Sequence, residues 1–415
     1  MNRAGVRGLL ALIATVLSAC SSTTTTAPPK SAAPPPVGYL DMPSAGTIVS
    51  GPTIEVSGWV LDSSDIQPFI KVSIDGQPIE ATVLKRMDRQ DVCIANPSIQ
   101  HCSTSQPGFT FRLETHRFVD GSHTIRLEAA NKGGSAFLIA TQEFVIKKKT
   151  CLVLSVGEAG GVAHIGAIDA LKEAGIRPDC VAGNSVGAVI AGLYASAPEA
   201  ELKPRFQKLI GKYKEMALEQ ARGRPGLAAL FSGVLAGGIG GTALGSTASI
   251  VTVEKIDRER FTGALDAVFE HVSIEALPVP FATWYQTLSG NGMGPYTTAT
   301  KGPLAAAVSC SANNPLIFKQ DIANATCLDP GTDRPARIPV DESCTTFRPA
   351  RIIAMNVTAA PAFLGRQMNC DLQEIMIPAN DVPQSAMQGE GPAFERAYMI
   401  GYQTTKKWLA KARLR

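Results

Sequence analysis

"VAGNSVGAVIAG", residues 181–192, sets one serine between two glycines at the spacing G-x-S-x-G. The residues ahead of Ser185 are small and apolar, as at the end of a buried strand. Those behind it carry apolar side chains at helical spacing. A strand that ends in a sharp turn and runs straight into a helix is the nucleophile-elbow arrangement. Gly183 and Gly187 relieve steric conflict around such a turn. A helix beginning just after the serine turns backbone N–H groups and its positive dipole end toward the reacting atom. In a chain with 38 glycines the pattern alone is weak, and its place between strand and helix gives it weight.

Upstream of the elbow the same grammar appears. "CLVLSV" (151–156) reads as a buried strand, "GEAGG" (157–161) as a Gly-containing turn, and "VAHIGAIDALKEAGI" (162–176) as a helix. Downstream, "FATWYQTLS" (281–289) and "ARIIAMNV" (350–357) read as strands. The last helix falls near 393–412, with Lys and Arg toward its C-terminus, where the dipole favours them. Strand, turn, helix, strand, elbow, helix predicts an α/β domain with a mainly parallel sheet over residues 150–415.

Residues 38–149 follow another grammar. "TIEVSGWVLD", "IKVSIDG", "FTFRLE", "HTIRLEAAN" and "FLIATQEFVI" are short runs with partial alternation, separated by turn signals such as Asp75-Gly76 and Asp120-Gly121. They predict a small all-β sandwich. The pattern "GWVLD … VSIDG … DGSHTIRLEA" resembles bacterial Ig-like modules, which implies a spacer or a module that binds a protein partner.

The N-terminus reads as an address and a tether. Residues 1–19 carry Arg3 and Arg7 and then an apolar run too short to span a bilayer, as in a signal peptide. The ending Leu-Ser-Ala-Cys resembles a bacterial lipobox, which implies cleavage before Cys20 and acylation of that cysteine. Ser21 follows, with no Asp there to retain the protein at the inner membrane. The resemblance therefore implies an outer-membrane lipoprotein facing the periplasm. Residues 20–37 are Ser/Thr/Pro-rich, a linker that holds the folded part off the membrane. The uncharged run from Pro225 to Val253 is long enough for a span, but its glycines make a poor one. It reads either as a flap near a lipid-facing entrance or as ordinary Gly/Ala helix packing.

The 415 residues suggest two domains, and 45% apolar with 18% charged residues is globular. A formal charge of +3, without a basic stripe, argues against nucleic acid as a partner. Of nine cysteines, eight remain without Cys20, an even number suited to an oxidising compartment. Cys93 with Cys102, and Cys327 with Cys344, are candidate pairs. No C-x-x-C is present and the five histidines do not cluster, so no metal site is expected.

A nucleophilic serine needs a base. The single histidine after Ser185 is His271, in "DAVFEHVSIEALP". A triad in the order Ser, acid, His would need an acid between 185 and 271, and nothing marks one. His271 reads as a helix-end residue.

The second domain resembles the patatin-like phospholipases, which use a Ser-Asp dyad without histidine. "VLSVGEAGGVAHIGAIDALKEAGI" resembles their first strand, oxyanion loop and helix, and "VAGNSVGAVIAGLYA" their elbow. "LPVPFATWYQTLSG" and "GPLAAAVSCSANNPLIF" are similar to their central segments. "CLDPGTDRPARIPVD" falls where the family carries its catalytic Asp-Gly-Gly or Asp-Gly-Ala. The resemblance implies Ser185 as nucleophile, Asp329 as general base, and Gly157 to Gly161 as oxyanion loop. It also implies an ester-linked lipid as substrate, with no metal or cofactor. Asp341 is a competing carboxylate, with Asp321 and Asp333 behind it. The loop departs from the family's three glycines, any residue, Arg or Lys, and Gly. Here it reads Val156-Gly157-Glu158-Ala159-Gly160-Gly161, with Gly160 in the basic residue's place. Glu158 puts a negative charge where an oxyanion should form, a costly arrangement unless it points away. That departure motivates an alternative, an impaired patatin-like lipoprotein that binds lipid or protein.

Overall fold

A computed structural model describes residues 34–412, except 80–83, 131–135, 222–256, 290–291, 316, 320–325, 333–337, 359–360, 363–368 and 379–381. The expected signal peptide, Cys20 and most of the expected linker, the uncharged 225–253 run, Asp321 and Asp333 all lie outside the described residues.

The N-terminal unit is two sheets packed face to face. One has the strand order β1 (Val37–Met42), β3 (Thr53–Leu61), β7 (Gly108–Glu114), β6 (Lys85–Met87). The other runs β2 (Ile48–Val49), β9 (Ala136–Ile146), β8 (Gly121–Ala130), β4 (Phe69–Ile74), β5 (Gln77–Pro78). Alternation decides which side is inward. Ile54, Val56, Phe109 and Phe111 of the first sheet meet Val72, Ile74, Ile125, Leu127 and Phe144 of the second in one core. Two short helices, α1 (Gln90–Ala95) and α2 (Cys102–Ser105), are joined by the Cys93–Cys102 disulfide.

The second unit is built on a seven-stranded sheet. Its main path is β13 (Gly292–Ala299), β12 (Phe281–Ser289), β11 (Cys180–Gly183), β10 (Thr150–Leu154), β15 (Arg351–Asn356), β16 (Asp371–Met376). The pairs from β12 through β16 along this path are parallel. Strand β13 and the three-residue β14 (Thr326–Leu328) both pair antiparallel with β12. Strands β10, β11 and β15 are buried at every position, because both faces are covered. Leu152, Leu154, Ile353 and Met355 face one layer. That layer contains α3 (Gly161–Glu173), α4 (Val186–Ser196), α5 (Leu202–Ala221), α6 (Arg258–Phe269), α7 (Leu304–Ser311) and the final helix. Cys151, Val153, Ile352 and Ala354 face the other layer, where α8 (Val340–Phe347) packs through Val340 and Cys344. The final helix, α9, spans Gly391–Lys411.

Three further disulfides lie in this unit: Cys151–Cys180, Cys310–Cys327 and Cys344–Cys370. The expected Cys327–Cys344 pair is therefore not made. Cys344 sits on α8 in one layer, whereas Cys327 sits beside α6 and α7 on the other side of the sheet, so each bonds a nearer cysteine.

Candidate active site

Strand β11 delivers the chain to Ser185 and α4 carries it away. Ser185 itself has φ 55 and ψ −129, a conformation disfavoured for a side-chain-bearing residue. The surroundings hold it there. A Cβ on Gly183 would meet the carbonyl of Gly187 at 2.5 Å, and one on Gly187 would meet the carbonyl of Ser155 at 2.6 Å. Both positions therefore exclude side chains. The Ser185 N–H donates to Ser311 Oγ at 3.2 Å, and Ser311 Oγ donates to the Trp284 carbonyl at 2.8 Å. Asn184 accepts the Trp284 N–H through Oδ1 at 3.1 Å. At the far end of α4, the Arg205 guanidinium donates to the Leu193 carbonyl and, at 3.1 Å, to Ser196 Oγ. It thereby answers the Leu193 carbonyl in the last turn of the helix.

Asp329 follows β14 directly. Its carboxylate accepts a hydrogen bond from the Ser185 side chain and another from the Gly331 N–H at 2.8 Å. Proline at 330 removes one N–H, but the short turn Pro330–Thr332 brings the next one onto Asp329 Oδ1. Asp329 is only 3% exposed. Burial pushes its carboxyl up to about 6, against the lowering effect of the Ser185 and Gly331 bonds, and the Glu158 charge adds to the rise. It is more buried than a base that must stay ionised would suggest, yet two donors keep it an anion at neutral pH. Asp341 lies in the first turn of α8, in the opposite layer.

The loop between β10 and α3 lies beside these groups. Gly157 has φ 155 and faces the Val357 side chain so closely that no Cβ fits. Glu158 has φ 44 and still adopts the left-handed region. Its side chain is exposed, so it projects toward solvent. Gly160 donates its N–H to the Gly157 carbonyl at 2.8 Å, closing the turn. Gly161 allows α3 to pass against Val186 of the elbow, where a Cβ would collide with the valine. Val156 is buried and approaches Gly331, so this loop and the aspartate turn touch.

Ser155, fully buried at the end of β10, joins the parts. Its Oγ accepts the Val357 N–H at 3.0 Å and donates to the Val156 carbonyl at 2.8 Å, and its own carbonyl accepts from His164 Nε2 at 3.2 Å. Burial lowers the His164 imidazole to about 4, so it is neutral at pH 7 and serves as a fixed donor. His271 stands apart: it follows α6, is 81% exposed, and bonds Asp266 through Nδ1 at 2.5 Å.

Sequence reasoning missed Ser155, Asn184, Ser311 and Asn313 as supporting groups. The single hint for the last two is polar residues, "SCSANN" (309–314), ending an apolar helix. Among the described residues no cluster of three or more His, Cys, Asp or Glu could hold a metal, and no helix is long and apolar enough to cross a membrane.

A serine on a strained elbow, hydrogen-bonded to a buried carboxylate beside a Gly-containing loop, is equipped for nucleophilic attack on an acyl group. Residues 152–341 match the patatin-like phospholipase family. A 66-residue stretch is 48% identical to lysophospholipase nte1 of Emericella nidulans, covering 16% of this chain and 4% of that protein. An uncharacterized NTE family protein of Mycobacterium bovis is 29% identical over 228 residues, 51% of this chain and 54% of its own length. This chain thus spans about half or far less of the relatives it matches. Among solved structures, VipD from Legionella pneumophila aligns with 68% of this chain and 70% of its own at 13% identity and a TM-score of 0.31.

Proposed function

We propose that the α/β unit is a lipid acyl hydrolase of the phospholipase A or esterase type, acting through Ser185 and Asp329. The observation that carries this reading is the hydrogen bond between the Ser185 side chain and the Asp329 carboxylate. As Ser185 Oγ attacks an ester carbonyl, Asp329 accepts its proton and returns it to the leaving alcohol. The acyl-serine is then opened by a water that gives its proton to the same carboxylate. The developing oxyanion is met by backbone N–H groups of the loop, with Glu158 and Ala159 as the donors, since the Gly160 N–H is engaged within the turn. The substrate is an ester-linked acyl lipid, presented at a membrane to which an acylated Cys20 tethers the protein. In this reading the tether belongs to an outer-membrane lipoprotein facing the periplasm, and the Ig-like sandwich is a spacer or a protein-binding module.

Purified protein is incubated with short-chain p-nitrophenyl esters and with phospholipid vesicles, beside Ser185→Ala. Turnover is expected from the wild type alone, with stoichiometric labelling of Ser185 by a fluorophosphonate. Equal release by the two proteins would overturn the reading. A second reading, a non-catalytic lipid- or protein-binding lipoprotein, is motivated by Glu158 in place of a loop glycine. It expects wild-type cellular function in Ser185→Ala.

A further inference from the structure

We propose that the Cys310–Cys327 disulfide, together with Asn313, is the positioning device that holds Asp329 against Ser185, so that hydrolysis requires this bridge to be closed. The inference rests on the Ser185–Asp329 reading above.

The two halves of the dyad come from separate elements. On the nucleophile side, Ser311 accepts the Ser185 N–H, and Ser311 is the neighbour of Cys310 at the end of α7. On the carboxylate side, Asp329 stands two residues after Cys327. The disulfide joins the two sides covalently. Asn313 adds two links of its own. Its backbone carbonyl accepts the Asp329 N–H at 3.2 Å, and its side-chain amide donates to the Cys327 carbonyl. Strand β14 has three residues and only β12 as its ladder partner among the described residues. So short a pairing gives few backbone bonds, and the bridge and Asn313 add to its hold.

The other disulfides do something else. Cys151–Cys180 ties β10 to β11, and Cys344–Cys370 ties α8 to the segment entering β16. Neither cysteine pair adjoins Ser311 or Asp329 in sequence.

The bridge is also placed to open. Arg258 Nη1 lies 3.3 Å from both Cys310 Sγ and Cys327 Sγ. A guanidinium there stabilises the thiolate that departs when the bond breaks. Cys310 is half-buried and Cys327 is 5% exposed, so Cys310 is the sulfur a reductant reaches. A dithiol would attack Cys310 Sγ as its thiolate, and Cys327 would leave as a thiolate beside Arg258 and take up a proton. The second thiol of the reductant then closes on the mixed disulfide and releases Cys310. Both electrons come from the dithiol, which departs as a cyclic disulfide.

Three proteins are compared on a short-chain p-nitrophenyl ester: wild type, Cys310→Ser/Cys327→Ser and Cys344→Ser/Cys370→Ser. The first variant is expected to lose roughly 100-fold in kcat, the scale of a 1 Å misplacement, with KM nearly unchanged. The midpoint of its acid limb should fall below that of the wild type, because a released carboxylate regains water. The second variant should keep kcat per folded molecule and the acid limb. In a parallel arm, wild type is reduced with dithiothreitol, alkylated, and mapped by mass spectrometry. Activity should fall with the fraction of Cys310 and Cys327 alkylated, and return when an unalkylated sample is reoxidised. Wild-type kcat and acid limb in Cys310→Ser/Cys327→Ser would overturn the proposal, as would equal kcat losses in the two variants. Should Cys310→Ser/Cys327→Ser not fold, full activity with the pair alkylated would do so. Failure of the underlying dyad is separately visible, as undiminished kcat in Asp329→Asn.

Discussion

The two units bury their sheets differently. In the sandwich each sheet hides one face, and the strands alternate: β8 reads exposed, exposed, then buried at every second position. In the α/β unit the central strands are buried on both faces throughout. The surfaces differ accordingly. Among the described residues, Val37, Tyr39, Met42, Ile48, Phe69 and Leu138 are large apolar side chains left exposed on the sandwich strands, whereas Met376 and Met399 are those of the α/β unit. A sheet covered on both faces leaves its strand ends open, and ligands bind outside the carboxyl ends of such strands. Ser185 follows the end of β11 and the Gly157 loop follows the end of β10. The buried polar groups divide the same way. Those of the α/β unit include Ser155, Asn184, Ser311, Asn313 and Asp329 around the elbow, while Asp62 and His123 of the sandwich bond to its own turns.

If chemistry is confined to one unit, Ser185→Ala should have the largest effect, removing ester turnover and fluorophosphonate labelling together. Truncating a sandwich core side chain, Phe109→Ala, should cost that unit about 3–5 kcal/mol by urea unfolding. It should leave kcat per folded molecule unchanged, and a comparable loss of kcat there would break the contrast. Gly187→Ala forces a Cβ onto the Ser155 carbonyl. It should cost about 1–3 kcal/mol or more in urea unfolding and reduce turnover, because it displaces the elbow.

Asp329→Asn sharpens the comparison, since it should trade activity for stability. The wild-type carboxyl titrates at about 6 when folded, against 3.8 for the free side chain. A raised value means that the carboxyl's stabilising contribution is complete below about pH 4 and lost as pH rises through 6. The difference is about 3 kcal/mol at most. Asp329→Asn should therefore unfold at higher urea than the wild type at pH 8, with the advantage vanishing at pH 4, while its kcat collapses relative to the wild type at pH 8. The wild-type kcat should fall as pH drops below about 6. The smallest effect is expected of Glu158→Gln. Removing that like charge should move the acid limb down by less than about one unit, measured from kcat against pH.

The elbow was legible because local sequence fixes it: a strand end, two glycines that must lack a Cβ, and a helix start. The alternating runs of the sandwich and the buried strands of the α/β unit were legible for the same reason, since periodicity reports which faces are covered. Asp329 came from resemblance, because nothing local distinguishes a carboxylate before proline from a turn residue. The disulfides were half legible. Cys93 and Cys102 close a nine-residue separation, but Cys327 and Cys344 are kept apart by a sheet whose layers spacing alone does not reveal. Ser155 was invisible because its role depends on Val357, 202 positions away. Glu158 occupies the left-handed region despite its Cβ, and its side chain is exposed to solvent.

Strand β14 lies off the main path of the seven-stranded sheet, added antiparallel to the edge of β12 that faces β11, beyond the two residues of β12 that pair with β11. The elbow, by contrast, is built from β10, β11 and the helices that directly follow them, braced by Trp284 of β12 and Ser311 of α7. Order of assembly follows from that placement. The doubly covered core can close while the carboxylate-bearing strand is still undocked, so the domain gains its shape before its reactivity. A renaturing sample should recover intrinsic fluorescence ahead of esterase activity, and the lag between them would time the arrival of a single three-residue strand.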